Sequence, residues 1–189
     1  MITLVIGGSG SGKSNLAEDI AVRSGCRYKY YIATMVIMDD EGVKRVAKHR
    51  LSRKGKGFVT LELPEDVEAA ADSMENPKER VAVLECVTNL VGNLLFAKGG
   101  VLAVNDVDAG AVADTVTGKV LSLAAAVSHL IVVSGQYEPS DDDDDQTAIY
   151  KSTLDEVNGR LRHHADKVYD MNDTDIKNVD IKVKKETGI

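Results

Sequence analysis

The sequence predicts an α/β fold, a single domain over residues 1–189 with a mainly parallel sheet flanked by helices. Three observations lead there. Short apolar runs rich in β-branched side chains alternate with helix-length segments, the order expected of βαβ units. The first run, Met1 to Ile6 (M-I-T-L-V-I), passes directly into a glycine-rich turn and then a helical pattern. The 189 residues are 43% hydrophobic and 28% charged, an ordinary soluble composition that can bury one sizeable core.

The turn carries the chemistry. Gly7-Gly8-Ser9-Gly10-Ser11-Gly12-Lys13-Ser14 is G-x-x-x-x-G-K-S, a phosphate-binding P-loop, placed between a strand and the helix Asn15 to Arg23. Glycines let backbone N–H groups turn inward around an anion. The helix aims its N-terminal N–H groups and dipole at the same phosphates. Lys13 is expected on the β- and γ-phosphates and the Ser14 hydroxyl on Mg²⁺.

The chain continues in the same alternation. Tyr28 to Thr34 reads as a second strand, its end Ile32-Ala33-Thr34 lying where α/β sheets place ligands. Asp39 or Asp40 caps a helix over Gly42 to Arg53. Its Val43, Val46 and Ala47 are expected inward, and Lys44, Arg45, Lys48 and Arg50 outward, with His49 inside the basic run. Lys54-Gly55-Lys56-Gly57 interrupts the pattern. Phe58 to Leu63 reads as a strand ended by Pro64, Asp66 to Met74 as a helix, and Asn76-Pro77 as a turn. Val81 to Leu84 is a core strand ending in Glu85-Cys86. A P-loop protein places an acid there to bind Mg²⁺ or order the nucleotide, which makes Glu85 the candidate beside Ser14.

Thr88 to Ala97 and Ala103 to Val127 read as helices, with a turn at Asn105-Asp106. Leu130 to Val133 is a core strand. Gly135 to Gln146 reads as a solvated loop containing the run Asp141 to Asp145. That run lacks the spacing of a calcium loop. Thr147 to Ala165 is a helix and Lys167 to Met171 a short strand. The tail from Asn172 is polar, although Val179 to Val183 alternates like an edge strand.

A net charge of −7 gives no attraction to nucleic acid or an anionic membrane. Cys26 and Cys86 form no C-x-x-C pair, which suits reduced thiols and a cytoplasmic protein. The first residues lack a signal peptide's basic and long apolar regions, and no run is long enough to span a bilayer.

Several stretches together resemble the bifunctional adenosylcobinamide kinase/adenosylcobinamide-phosphate guanylyltransferases of cobalamin biosynthesis. They are the P-loop, Y-I-A-T at Tyr31 to Thr34, D-D-E at Asp39 to Glu41 and R-V-A-K-H-R at Arg45 to Arg50. F-V-T-L-E at Phe58 to Glu62, L-E-C-V-T-N-L-V-G-N-L-L-F at Leu84 to Phe96 and V-N-G-R-L at Val157 to Leu161 complete the set. The resemblance implies two reactions. A nucleoside triphosphate, GTP or ATP, phosphorylates the aminopropanol hydroxyl of adenosylcobinamide. GMP is then passed from GTP to that phosphate through a guanylylated histidine, giving adenosylcobinamide-GDP.

His49 falls on the histidine's position, and a neutral imidazole is a competent nucleophile at phosphorus. The resemblance further implies nucleotide contacts at Gly7 to Ser14, at Ile32, Ala33 and Thr34, at Arg50, Leu51, Ser52 and Arg53, and at Glu62 and Glu85. A carboxylate at Glu62 or Glu85 would accept from the guanine N1–H and N2 amino group, which favours GTP. The corrinoid is then the second substrate, and a homo-oligomer, such as a trimer, the expected assembly.

Three places depart from the family pattern, the first being Lys54 to Gly57 (K-G-K-G), which lacks the usual proline after arginine. Ser134-Gly135-Gln136-Tyr137-Glu138-Pro139 stands where N-E-V-G is usual, and Lys151 where an arginine is usual. The alternatives are a single-activity small-molecule kinase and a nucleotide-dependent regulatory module. No N-K-x-D motif of a guanine-reading switch is present.

Overall fold

The computed structural model describes residues 1–76, 79–96 and 108–172. Its strands are β1 (Ile2–Gly7), β2 (Tyr28–Ala33), β3 (Phe58–Glu62), β4 (Arg80–Glu85), β5 (His129–Gly135) and β6 (Lys167–Asp170). They form one sheet in the order β3-β2-β4-β5-β1-β6, and every pair is parallel. The helices are α1 (Lys13–Arg23), α2 (Asp40–Ser52), α3 (Val87–Phe96), α4 (Ala109–Ala125) and α5 (Asp145–His164), with a 3-10 helix at Val67–Ser73.

Both faces of the sheet are covered, so its strands are apolar on both sides. Alternate residues divide between two cores. Leu4, Ile32, Leu84, Leu130 and Val132 pack with Leu90 of α3, Val116 of α4 and Leu154 of α5. Their neighbours Val5, Tyr31, Val83, Ile131 and Val133 pack with Ala17 and Ala21 of α1.

Several local expectations change in the folded chain. The 66–74 segment is a 3-10 helix, because its buried residues Val67 and Ala70 lie three apart, the spacing that a 3-10 helix stacks on one side. The helix expected from Ala103 runs from Ala109, where Asp108 accepts from the Ala111 amide at 2.9 Å; residues 103–107 lie outside the described residues. Val179 to Val183 also lies outside them.

The aspartate run does not belong wholly to a loop. Asp144 caps α5 by accepting from the Thr147 amide at 2.7 Å, and Asp145 opens the helix. Asp143 accepts from Lys151 at 2.7 Å. Hydrogen bonding from those partners holds both the Asp143 and the Asp144 carboxyl below the usual range. Helix α2 differs most. Asp39 is its cap, at 2.7 Å from the Gly42 amide, but Val43 is 51% exposed and Ala47 is exposed too, not buried. The helix stands over a groove of about 810 Å³ lined by Val43, Val46, Ala47, Leu51 and Phe58.

Candidate functional site

Parallel strands bring their carboxyl ends to one edge, and the register aligns the residues found there. Ala33 pairs with both Glu85 and Glu62, and Gly7 pairs with Gly135. A cavity of about 740 Å³ opens at this edge. The P-loop residues Ser9 to Ser14 form one wall, with Glu85 beside them. Lys48, His49, Arg50, Ser52 and Arg53 from α2 and the turn after it form another, with Glu62 at the end of β3.

The P-loop geometry explains its glycines. Gly10 and Gly12 have φ of +73° and +88°, which L side chains rarely adopt. Gly12 also sits at the N-cap of α1, where no side chain satisfies the first amides. The N-termini of α2, α4 and α5 are each capped by an aspartate, so α1 is the exception among these helices. Its unclaimed amides and dipole are left to an anion in the loop. Lys13 folds back over the loop, its Nζ 2.5 Å from the Gly8 carbonyl, and burial lowers its pKa.

Glu85 and Ser14 meet across the cavity floor. The Ser14 hydroxyl donates to Glu85 Oε1 at 2.7 Å, and Oε2 is shielded from water with no protein partner. Burial pushes the Glu85 carboxyl up to about 7, against the opposing pull of the Ser14 hydrogen bond and of Lys13. An orphaned carboxylate oxygen next to a P-loop hydroxyl fits the donor set of Mg²⁺, which takes one or two protein oxygens and completes its shell with phosphates and water. Among the described residues no cluster of three or more His, Cys, Asp or Glu could hold a metal by itself.

The sequence profile described as cobinamide kinase / cobinamide phosphate guanyltransferase matches residues 3–173. The chain belongs to this family. Over 126 residues it is 38% identical to the bifunctional adenosylcobalamin biosynthesis protein CobU of Escherichia coli strain K12, covering 67% of each chain. It is 38% identical over 100 residues to CobU of Salmonella typhimurium, covering 53% of each chain. With CobP of Pseudomonas aeruginosa it shares 40% identity over 96 residues, or 51% of this chain and 54% of that one. The aligned stretches thus span between about half and two thirds of these relatives. Among solved structures, an ATPase domain matches in fold with a TM-score of 0.52 at 14% identity, over 89% of this chain and 68% of that one.

For this cobinamide kinase / guanyltransferase family member, the cavity gathers most of the expected residues but not all. Ser9 to Ser14, Ala33, His49, Arg50, Ser52, Arg53, Glu62 and Glu85 line it. Gly7 and Gly8 lie at the base of the loop, where their carbonyls accept from Gln136 and Lys13. The Ile32 side chain is buried in the core. Thr34 is fully buried and bonds the Cys86 main chain at 2.8 Å in both directions. Leu51 is 71% exposed and faces the neighbouring groove. Arg50 forms an ion pair with Glu62, and Arg53 is buried with its guanidinium 3.6 Å from the centre of the Tyr31 ring.

Three supporting residues inside the motifs carry no sign of their role in the sequence. Thr88 Oγ1 accepts from the Gly135 amide at 2.6 Å, Asn93 donates to the Thr34 and Pro64 carbonyls at 2.8 Å, and Asn158 donates to the Gly135 carbonyl at 2.9 Å. Each ties strand ends around the cavity, which accounts for the E-C-V-T-N-L-V-G-N and V-N-G-R-L stretches. Asn172, which carries no motif signal, accepts from the Gly8 amide at 2.8 Å and supports the P-loop from behind.

The other nucleophile candidates recede. Cys86 lines the cavity, but burial pushes its thiol up to about 11. His129 is buried against Thr3 at 2.9 Å, and burial lowers it to about 4. His163 and His164 end α5, away from the cavity lining.

Proposed function

We propose that this chain phosphorylates the hydroxyl of adenosylcobinamide and then transfers GMP to the resulting phosphate. The observation that carries the reading is the cavity, in which a P-loop, a Ser14–Glu85 pair and a half-buried histidine on a basic helix share one space. A plain kinase needs the first two and has no use for the third.

The P-loop amides and Lys13 hold the triphosphate, and Lys48, Arg50 and Arg53 gather cationic charge near the α-phosphate. In the transfer step an imidazole nitrogen of His49 attacks the α-phosphorus of GTP. A P–N bond forms, the bond to the bridging oxygen breaks, and pyrophosphate leaves with the electron pair. A phosphate oxygen of adenosylcobinamide phosphate then attacks the same phosphorus, the P–N bond breaks and the imidazole is restored.

Ser14 and ionised Glu85 would hold Mg²⁺, which supplies charge neutralisation at the phosphates. Glu85 is thereby committed to the floor. Glu62, exposed at the mouth and paired with Arg50, is then the carboxylate placed to read guanine N1–H and N2. Gly7 to Ser14 remain the proposed nucleotide contacts; Ile32 and Thr34 would contribute through main chain or packing, and Leu51 from the adjoining groove.

The proposed setting is the cytoplasm; among the described residues no helix is long and apolar enough to cross a membrane. A homo-oligomer is the proposed assembly, in keeping with exposed Met38, Leu51 and Val59 on the α2–β3 side.

Intact-protein mass spectrometry after incubation with GTP and Mg²⁺ tests the reading on wild type and His49→Ala. The expected result is a GMP adduct on wild type alone, with guanylyl transfer reduced by at least about 10³-fold in the variant. Phosphoryl transfer to adenosylcobinamide without any adduct on wild type would leave a single-activity kinase.

A further inference from the structure

Helix α1 buries a carboxylate that the proposed chemistry does not use. Glu18 is 0% exposed and sits among the small residues Ala17 and Ala21. Its partners both come from the other wall of the cavity. Lys56 Nζ donates to Oε2 at 2.5 Å, and the Ser52 hydroxyl lies 3.2 Å from Oε1. The same hydroxyl lies 2.9 Å from the His49 carbonyl, so its single proton is shared between Glu18 and the main chain of the histidine. Glu18 therefore reaches His49 through one side chain.

The energetics argue against a purely stabilising purpose. Glu18 is fully buried and Lys56 half-buried, and an ion pair with a buried partner seldom improves on well-packed apolar residues of the same volume, because desolvation offsets the attraction. Helix α2, meanwhile, lacks apolar burial to fix its position. Val43 and Leu51 are 51% and 71% exposed, and the groove beside them is open. A nucleophile must still be held about 3–3.5 Å from its phosphorus and in line. A polar tie from the P-loop helix supplies that placement where packing does not.

We propose that Glu18 is a positioning residue for His49, clamping the C-terminal end of α2 to the P-loop helix through Ser52 and Lys56. The K-G-K-G turn is then a strap that delivers Lys56 to the carboxylate, with Gly55 and Gly57 at φ of +82° and +76° allowing the tight path. The inference rests on His49 being the guanylylated residue.

The test follows GMP-adduct formation over time by intact mass at saturating GTP and Mg²⁺, with GTP affinity and melting temperature measured alongside. Lys56→Ala removes the ammonium, and Lys56→Arg keeps the charge. The double variant Glu18→Met/Lys56→Met removes both charges and leaves no buried ion unpaired, so it keeps the test valid if the single variant unfolds. The expected result for Lys56→Ala and the double variant is adduct formation slowed about 10–100-fold, with GTP affinity within about twofold of wild type. Lys56→Arg is expected to recover most of the rate. A folded double variant that guanylylates at the wild-type rate overturns the inference while leaving His49 as nucleophile. A rate loss matched by an equal loss of GTP affinity or of folded protein overturns it as well, by reducing Glu18 to a fold contact. No adduct on wild-type His49 removes both readings together.

Discussion

The P-loop wall of the cavity is held by main chain and core, whereas the wall carrying His49 is held by side chains at one end. On the first wall, β1 lies between β5 and β6, and α1 buries Ala17 and Ala21 against Val5 and Val133. On the second, β3 is an edge strand, α2 leaves Val43, Ala47 and Leu51 exposed, and the Arg53–Tyr31 stack and the Glu18 contacts anchor its C-terminal end. The difference matches two tasks. A triphosphate cradle works best preorganised, because amide dipoles fixed in advance cost no reorganisation when charge develops. The nucleophile proposed here, first guanylylated and then discharged onto a second substrate, would need room around it.

The largest way to sharpen this contrast is to disable the rigid wall alone. Lys13→Ala removes the cation proposed to hold the β- and γ-phosphates, and phosphoryl transfer should fall on the order of 10²–10³-fold. Adduct formation should fall with it, if each reaction binds its own triphosphate in the same loop. Steady-state kinase assays and adduct mass together check this, and loss of only one activity would show that the two reactions do not share the loop.

Stability should respond unequally across the molecule. Leu90→Ala, in the fully buried part of α3, should cost about 2–5 kcal/mol in urea unfolding. Val43→Ala, in α2, should change it by less than about 0.5 kcal/mol. Equal costs at both positions would mean that α2 is packed as tightly as α3, which would break the comparison.

A pH-dependent effect concerns Glu85 on the rigid wall, whose charged form burial disfavours. Its folded pKa, about 7, lies above the ordinary 4.5, so the neutral form is favoured in the folded protein. That contribution is full below pH 4.5 and is lost as pH rises through 7. Glu85→Gln should therefore stabilise the nucleotide-free protein by about 1–3 kcal/mol at about pH 8 and hardly at all at about pH 4. Mg²⁺ needs the ionised carboxylate. Binding of Mg·GTP at about pH 6.5 should thus release most of a proton from wild type and none from the variant, read by calorimetry in two buffers of different ionisation enthalpy.

Much of the site was legible because its signals are local. The strand–glycine loop–helix order of the first 23 residues specifies a P-loop through φ constraints and an uncapped helix end, both properties of adjacent residues. Glu85 was legible as the acid ending a core strand. The helix start at Asp144 and Asp145 is not legible, because a run of five like charges masks which one is the cap.

The sequence by itself determined the parallel α/β fold, the phosphate site, and the family to which the chain belongs, since periodicity and contiguous motifs carry each of them. Only the tertiary structure decided how the pieces meet. Glu18 reads as one more polar helix residue until Lys56, 38 positions later, is folded onto it. Thr88 and Asn93 read as ordinary α3 residues until Gly135, Thr34 and Pro64 come within hydrogen-bonding distance. The apolar stripe of α2 promised burial, yet its place beside an edge strand leaves it half in water. The physical reason is common to all three. Burial and partnership of a side chain depend on which distant surface packs against it, and a linear pattern records only the side chain's own half of that contact.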